Sequence, residues 1–323
     1  MTKRIFPEEI INAYLKIKDD ILKTPLEYSS KLSEISGAKV FLKMEHLQHT
    51  GSFKIRGVLN KIKSLGKTNF QKTFIAASTG NHAAAFGYAS KVFGFNGVLF
   101  MPENVNDVKQ NALKAYDVKK YIYGKNSIET EAKATSYANE ISGILIHPYN
   151  DREIIKGQGT IGVEIQDQLS EIDTVLAPVG GGGLISGLCS YFADNKVMVI
   201  GCQPKNASEM YDSVKCGKIV PPSTLSTIAD ATAGGIETEA LTFDICKNQL
   251  DGFELIDEDK IKKAVAFMVK YHQTIIEPGA ALPVAALLNS KKYKDKNVVL
   301  VLTGKKINHQ LLTKIIDNYG NSY

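Results

Sequence analysis

What the 323-residue chain lacks narrows its class before any motif is read. Its four cysteines, Cys189, Cys202, Cys216 and Cys246, lie far apart and form no C-x-x-C pair. Such spacing suits neither a disulfide framework nor a cysteine zinc site, and it fits reduced thiols in a cytoplasmic protein. The N-terminal MTKRIFPEEIINAYLKIKDD is amphipathic and interrupted by charge, so no secretory signal is expected. The uncharged stretch LAPVGGGGLISGLCSYFA, Leu176–Ala193, has the length of a membrane span, but four consecutive glycines break any helix there. No low-complexity linker or short-period repeat divides the chain. Nor is there a basic stripe interleaved with aromatics. The net charge of +5 is spread out, apart from NSKKYKDKN, which reads as a solvated loop. Neither nucleic acid nor a membrane is an expected partner.

What is there has the composition of an ordinary globular protein, 44% hydrophobic and 23% charged, at a length typical of two lobes. Strand-like and helix-like patterns alternate throughout, which predicts an α/β fold with mostly parallel sheets. AKVFLKME, KTFIAAS, GVLFMP, KKYIYG, EIDTVLAPV, KVMVIGCQP and NVVLVLTG read as strands. Helices are expected from about Phe53, over HAAAFGYASKVFG, and over LISGLCSYFADN. Ligands of open α/β sheets sit at the carboxyl ends of strands. Four turns with unusual chemistry fall at such positions: around Lys54, at Ser78–His82, at Gly180–Gly183 and at Thr303–Gly304.

Glycines between a buried strand and a helix let backbone N–H groups converge on an anion. In PVGGGGLISG the dinucleotide fingerprint fails, because its third glycine position is Ser186 or Ile185. The Walker pattern fails as well, since Gly187 is followed by Leu188. What remains is a single phosphate cradle or, alternatively, a glycine run for close helix–sheet contact. In STGNHAAA, Ser78, Thr79 and Gly80 precede a helix opened by Asn81 and His82. That start suits a carboxylate, or it is simple N-capping by Ser78 or Thr79. His82 reads as a structural histidine rather than a base. Lys54 follows a Thr-Gly-Ser turn between Phe53 and Ile55, and alone it reads as a helix-surface lysine beside Arg56. Held near apolar neighbours, its amine would have a depressed pKa and attack carbonyls. Phosphate cradle, carboxylate cradle and amine together describe a pyridoxal-phosphate site.

Five motifs, TGSFKIRG, STGNHAAA, GQGTIGVEI, PVGGGGLISG and IIEPGAAL, resemble the threonine dehydratase and serine racemase group of fold-type II pyridoxal-phosphate enzymes. They stand in that group's order from about Leu26 to Asn308. The resemblance implies a tryptophan synthase β-like fold: two open, twisted, mostly parallel sheets flanked by helices. It implies a discontinuous large cofactor-binding domain, 1–70 and 151–323, and a small domain, 71–150. The chain stops soon after TGKKIN, so no C-terminal regulatory domain is expected. Lys54 would carry the cofactor with Phe53 beside it, and Asn81 would bond the ring hydroxyl. Gly180, Gly181, Gly182 and Gly183, with Leu184, would hold the phosphate. Thr303 would meet the ring nitrogen, and Glu277 would lie near the ring. Ser78, Thr79, Gly80, Asn81 and His82 would receive the substrate carboxylate.

The implied activity is deamination of L-threonine or L-serine to a 2-oxo acid and ammonia. In it Lys54 removes the Cα proton and the β-hydroxyl leaves with assistance from the phosphate. A neutral Thr303 hydroxyl at the ring nitrogen makes the cofactor a weaker electron sink than a carboxylate would, which suits elimination better than transamination. Thr79 bears on the alternative. Racemases of the group commonly have serine there and many dehydratases alanine, so a retained hydroxyl keeps serine racemisation open, with Thr79 as the second acid/base. At the positions where racemase-like members hold a divalent cation, this chain has Gln203, Ala207 and Glu209. One ligand charge is missing, and no required metal is expected. Other departures are TGKK, with Lys305 and Lys306, in place of Ser-Gly-Gly-Asn, and the stretch Asp230–Gly235. β-Replacement is a less similar activity, because Ile55 stands where cysteine synthases usually have an acidic residue. A non-catalytic ligand sensor is the reading outside catalysis. A homo-oligomer, dimer or tetramer, is expected.

Overall fold

The computed structural model describes residues 4–103, 113–125 and 127–322. The strands among these residues are β1 (Leu26–Tyr28), β2 (Lys39–Lys43), β3 (Phe74–Ala77), β4 (Gly97–Met101), β5 (Lys119–Ile122), β6 (Ile144–Leu145), β7 (Thr174–Pro178), β8 (Met198–Pro204), β9 (Gly252–Ile256) and β10 (Asn297–Val301). They form two sheets, in the orders β1-β2-β10-β7-β8-β9 and β5-β4-β3-β6. All pairs are parallel except the edge pair β1–β2, where Leu26 faces Lys43. The central strands, such as NVVLV and TVLAP, are apolar along their length because helices cover both faces of the sheet.

Those helices are α1 (Pro7–Ile17), α2 (Ser30–Ser36), α3 (Lys54–Leu65), α4 (Asn81–Phe93), α5 (Ser127–Glu140) and α6 (Arg152–Gln168). They continue with α7 (Gly183–Phe192), α8 (Glu209–Cys216), α9 (Leu241–Gln249), α10 (Glu258–His272), α11 (Pro278–Leu288) and α12 (His309–Tyr319). One core lies between the larger sheet and α10–α11, with Leu300, Val265 and Leu282 fully buried. A second lies on its other face under α6 and α7, around Val299, Ile165 and Leu188. The smaller sheet is covered by α3 and α4 on one face and by α5 on the other. No helix among the described residues is long and apolar enough to cross a membrane. The four cysteines are all free thiols.

Glycines set how closely α3, α6 and α7 lie. A Cβ on Gly157 of α6 would fall 2.6 Å from the Arg56 carbonyl and from Gly57 Cα of α3. One on Gly187 of α7 would fall 2.5 Å from the Gly159 nitrogen of α6. Real Cβ atoms do not approach so near, so any side chain there would push the helices apart. The consequence is functional. α3 begins at Lys54 and α7 at the glycine turn, and α6 fixes the distance between those two helix starts.

Below Lys54 the same three-layer contact encloses a buried charge network. The Arg56 guanidinium donates to both oxygens of Glu45 (2.7 Å each) and to both of Glu164 (2.8 Å each). Lys43 Nζ adds bonds to Glu164 (2.6 Å) and to the Thr24 carbonyl (2.8 Å). Arg56 is therefore no helix-surface residue: it is wholly enclosed, and its two carboxylates satisfy it there.

Candidate active site

A cavity of about 550 Å³ opens where the strand ends of the two sheets face each other. Every site residue expected from the sequence lines it: Phe53, Lys54, Ser78, Thr79, Gly80, Asn81, His82, Gly180, Gly181, Gly182, Gly183, Leu184, Glu277 and Thr303.

Backbone pairing places Lys54. Ser52 bridges Gly304, Phe53 N–H donates to the Thr303 carbonyl (3.1 Å), and Lys305 N–H donates to that of Gly51 (3.2 Å). The chain thus enters α3 alongside the end of β10, and the first helical residue projects into the cavity. Lys54 Nζ donates to the Pro148 carbonyl at 2.7 Å. Burial lowers its pKa from the ordinary 10.5 to about 8, and the nearby Glu131 and Glu277 carboxylates limit the fall. An amine so placed is partly unprotonated near neutral pH and is a competent nucleophile or base.

The turn after β7 enters α7 through Gly182, whose φ of 89° is left-handed. Tyr149 lies against it. A Cβ on Gly181 would stand 2.4 Å from the Tyr149 ring, and one on Gly183 3.1 Å from Tyr149 Cα. The first N–H groups of α7 have no partner within the helix, and Gly183 and Leu184 line the cavity, which suits a phosphate. After β3 the second turn is held by Ser78 Oγ, which accepts from Gly80 N–H at 3.1 Å. A Cβ at Gly80 would meet open space, so the first amides of α4 stand accessible to an anion.

Asn81 Nδ2 donates to both Glu277 oxygens, at 2.8 and 3.0 Å, and its buried Oδ1 has no partner among the described residues. Glu277 also accepts from Lys306 N–H (3.1 Å), and burial raises its carboxyl pKa. Its carboxylate fills the space beside Gly304, where a Cβ would come within 2.7 Å. Lys306 lines the cavity too. Its amine is drawn down to about 8 by burial, with Glu277 opposing. His82 is turned away from the void: its Nε2 lies 2.8 Å from the Ile146 carbonyl, and burial drives its pKa down to about 3. It stays neutral near pH 7. The hydroxyls of Thr79 and Thr303 belong to wall residues. Away from the cavity, Gln203 Oε1 accepts from Tyr211 N–H (2.8 Å) and Glu209 Oε1 from Ser223 N–H (3.0 Å).

Sequence reading missed the loop His147–Asn150 and the residues it gathers. His147 Nδ1 accepts backbone N–H bonds from Tyr149 (3.2 Å) and Asn150 (2.8 Å), so the ring proton is on Nε2. That nitrogen is 2.9 Å from Glu237 Oε1. Glu131, on α5, completes a trio whose facing atoms lie within 4.8 Å of one another. With Nε2 carrying a proton, His147 presents an N–H toward Glu237. Burial raises the Glu131 carboxyl to about 7. Tyr149 links the loop to the glycine turn through its ring and to Glu237 N–H through its hydroxyl (2.9 Å).

The wall meets the demands of pyridoxal phosphate group by group. It offers an amine for the aldehyde, a helix start for the phosphate, a neutral hydroxyl at Thr303, and a buried acceptor, Asn81 Oδ1, for a ring hydroxyl. Comparison with known proteins agrees. Residues 17–304 match the family described as "Pyridoxal-phosphate dependent enzyme". The chain is 37% identical over 317 residues to a catabolic L-threonine dehydratase, TdcB, of Staphylococcus aureus, covering 96% of this chain and 91% of that one. It is 35% identical to an L-threonine ammonia-lyase of Thermotoga maritima, covering 96% and 78%. The crystal structure of serine racemase from Dictyostelium discoideum superposes with a TM-score of 0.87 at 33% identity, covering 95% of this chain and all of that one. Amine, glycine turn and strand-end cavity therefore have one common explanation: this chain belongs to the pyridoxal-phosphate dependent enzymes.

Proposed function

We propose that the protein is a deaminating dehydratase that converts L-threonine, L-serine or both to a 2-oxo acid and ammonia. The observation that carries this reading is the buried Lys54 amine, set across one cavity from an anion-binding helix start and a neutral Thr303 hydroxyl. The similarity to a threonine dehydratase and a threonine ammonia-lyase at 35–37% identity supports the same chemistry.

Pyridoxal phosphate, when bound, supplies an aldehyde that joins amines and a ring that takes up the electron pair left at Cα. The chain supplies the rest. The amides of Gly180 to Leu184 would hold the phosphate, and the amides and hydroxyls of Ser78 to His82 would orient the substrate carboxylate. Lys54 accepts the Cα proton, and its lowered pKa keeps a share of the amine free to do so. Thr303 would meet the ring nitrogen with a neutral hydroxyl rather than a carboxylate, and Asn81 would bond the ring hydroxyl. Two lobes, 1–70 with 151–323 and 71–150, would carry the two sides of the cavity; residues 1–3, 104–112, 126 and 323 of those spans lie outside the described residues. A cytoplasmic homo-oligomer, dimer or tetramer, belongs to the same reading, as does activity without a divalent cation.

Racemisation is the second reading, favoured by the Thr79 hydroxyl at the cavity wall and by the likeness to a serine racemase. One experiment separates the two. The cofactor-loaded protein is incubated with L-threonine, L-serine and threo-3-hydroxyaspartate while 2-oxo acid and D-isomer are measured in parallel. We expect 2-oxo acid to dominate; D-serine with little pyruvate would overturn the dehydratase reading. Protein that stays colourless with added pyridoxal phosphate would favour a ligand sensor.

A further inference from the structure

The turn after β10 carries two lysines, and the structure sorts them. Lys305 N–H pairs with the Gly51 carbonyl (3.2 Å), and its stem lies over Gly51, where a Cβ would come 3.3 Å from Lys305 Cε. Lys306 lines the cavity instead, and its amine makes no hydrogen bond or ion pair among the described residues. The function proposed above leaves that amine unused. We propose that Lys306 is a positioning residue for the cofactor ring: its amine is the counter-charge of Glu277, and Glu277 in turn holds Asn81 toward the ring hydroxyl. The proposal rests on the placement of that hydroxyl at Asn81.

Hydrogen bonds carry the relay from the turn to the amide. Glu277 is buried at the start of α11 and accepts from Lys306 N–H at 3.1 Å. It also accepts from Asn81 Nδ2, at 2.8 and 3.0 Å. These donors are all N–H groups, so the ionised carboxylate is the form they satisfy; a protonated carboxyl would bring an O–H in among donors. Asn81 is the first residue of α4, and its buried Oδ1 has no partner among the described residues. Bonds from Nδ2 to an ionised acceptor are the stronger kind, and they hold the amide in one orientation. With a neutral Glu277 those bonds weaken, and the amide is no longer fixed.

The charges around Glu277 pull both ways. Burial and the Asp230 carboxylate favour its protonated form, whereas the Asn81 and Lys306 N–H donors and the Lys306 amine favour the ionised one. Lys54, on another wall of the cavity, also feels the Glu277 charge. Burial draws the Lys306 amine down to about 8 with Glu277 opposing, so near pH 7 most of it is still a cation. A buried carboxylate without a counter-charge is costly. The ending TGKK supplies that charge at Lys306, where the asparagine of Ser-Gly-Gly-Asn would bring none.

The test asks whether Lys306 acts on the ring hydroxyl and acts through Glu277. Full-length protein stripped of cofactor is titrated, by absorbance, with pyridoxal phosphate and with 3-deoxypyridoxal phosphate, which has hydrogen in place of the ring hydroxyl. Wild type should prefer the parent on the order of tenfold, the worth of one good hydrogen bond. Lys306→Met keeps the backbone N–H and the unbranched stem, and at pH 7 it should lose most of that preference. Lys306→Gln, a second uncharged variant, should do the same, and Lys306→Arg should keep the preference. The preference holds above the Glu277 pKa and is lost as pH falls through it. Removing a cation raises that pKa, so the acid limb of Lys306→Met should lie roughly one pH unit higher than that of wild type.

In a Glu277→Gln background, Lys306→Met should change neither the preference nor the limb. An effect that persists there in full overturns the relay. So does an unchanged preference in both uncharged variants. Equal weakening toward both ligands would overturn it too, since it would place the lysine at the phosphate or in the frame. Wild type that binds the two ligands equally would instead remove the ring hydroxyl from Asn81, and with it the placement on which the proposal rests.

Discussion

Lys54 is held at the expense of stability, and the amount is measurable. Its amine sits where burial pulls the pKa from 10.5 to about 8. A difference of that size between unfolded and folded chain corresponds to roughly 3 kcal/mol. The hydrogen bond to the Pro148 carbonyl offsets about 1 kcal/mol of it. Lys54→Met keeps the unbranched stem and removes the charge. In protein stripped of cofactor it should therefore be more stable than wild type at pH 7 by about 1–3 kcal/mol. The sign follows from proton binding. Between the two pKa values the unfolded chain binds more protons than the folded one, so stability from this group rises with pH in that window. The penalty is complete below about 8 and gone above 10.5. The variant's advantage should be largest at pH 7 and shrink toward zero by pH 10.5, whereas titrations shared by both proteins cancel. In a thermal scan the difference at pH 7 should be about 2–5 °C. A variant that melts at or below wild type at pH 7, or whose advantage does not change with pH, would refute the claim that this amine is buried under strain.

Two further substitutions probe the frame around the cavity. Arg56→Met leaves Glu45 and Glu164 buried without their shared cation and should lower stability by roughly 3–5 kcal/mol in urea unfolding. A loss under about 1 kcal/mol would mean that Lys43 alone satisfies both carboxylates. Gly181→Ala puts a methyl group 2.4 Å from the Tyr149 ring and must displace the turn or the ring. We expect pyridoxal-phosphate affinity, followed by absorbance titration, to fall on the order of tenfold or more, about 1.4 kcal/mol. Unchanged affinity would show that the turn binds nothing.

How much of this was legible in the chain depends on how local each cause is. The strands β2, β3, β4, β7, β8 and β10 announce themselves because burial forces near-continuous apolar runs, whereas β5, KKYI, is an edge strand without a buried residue. The strands β1 and β6 are three and two residues long, and β9 is only partly buried, so no period could mark them. The anion turns and Lys54 were readable for the same local reason: glycine spacing and a helix start are properties of a few consecutive residues. Glu131 was not. SIETEAKATSYANE looks like any solvated amphipathic helix, with Glu129 and Lys133 on either side, and nothing within it separates Glu131 from its neighbours. The distinction arises because α5 covers the smaller sheet while Glu237 and His147 approach from 106 and 16 positions downstream in the chain. Arg56 shows the same limit in reverse, since its sequence neighbours suggest a surface and its tertiary neighbours are two buried carboxylates. The motif GQGTIGVEI lies between these cases. Its residues were recognisable as a pattern, but their physical role was not. Gly157 and Gly159 let α6 touch α3 and α7 at backbone distance, and Glu164 meets Arg56 one turn further on. That motif contributes no atom to the cavity wall, yet it sets the separation between the amine and the phosphate turn. Its glycines are therefore as much a requirement of the chemistry as Lys54 itself.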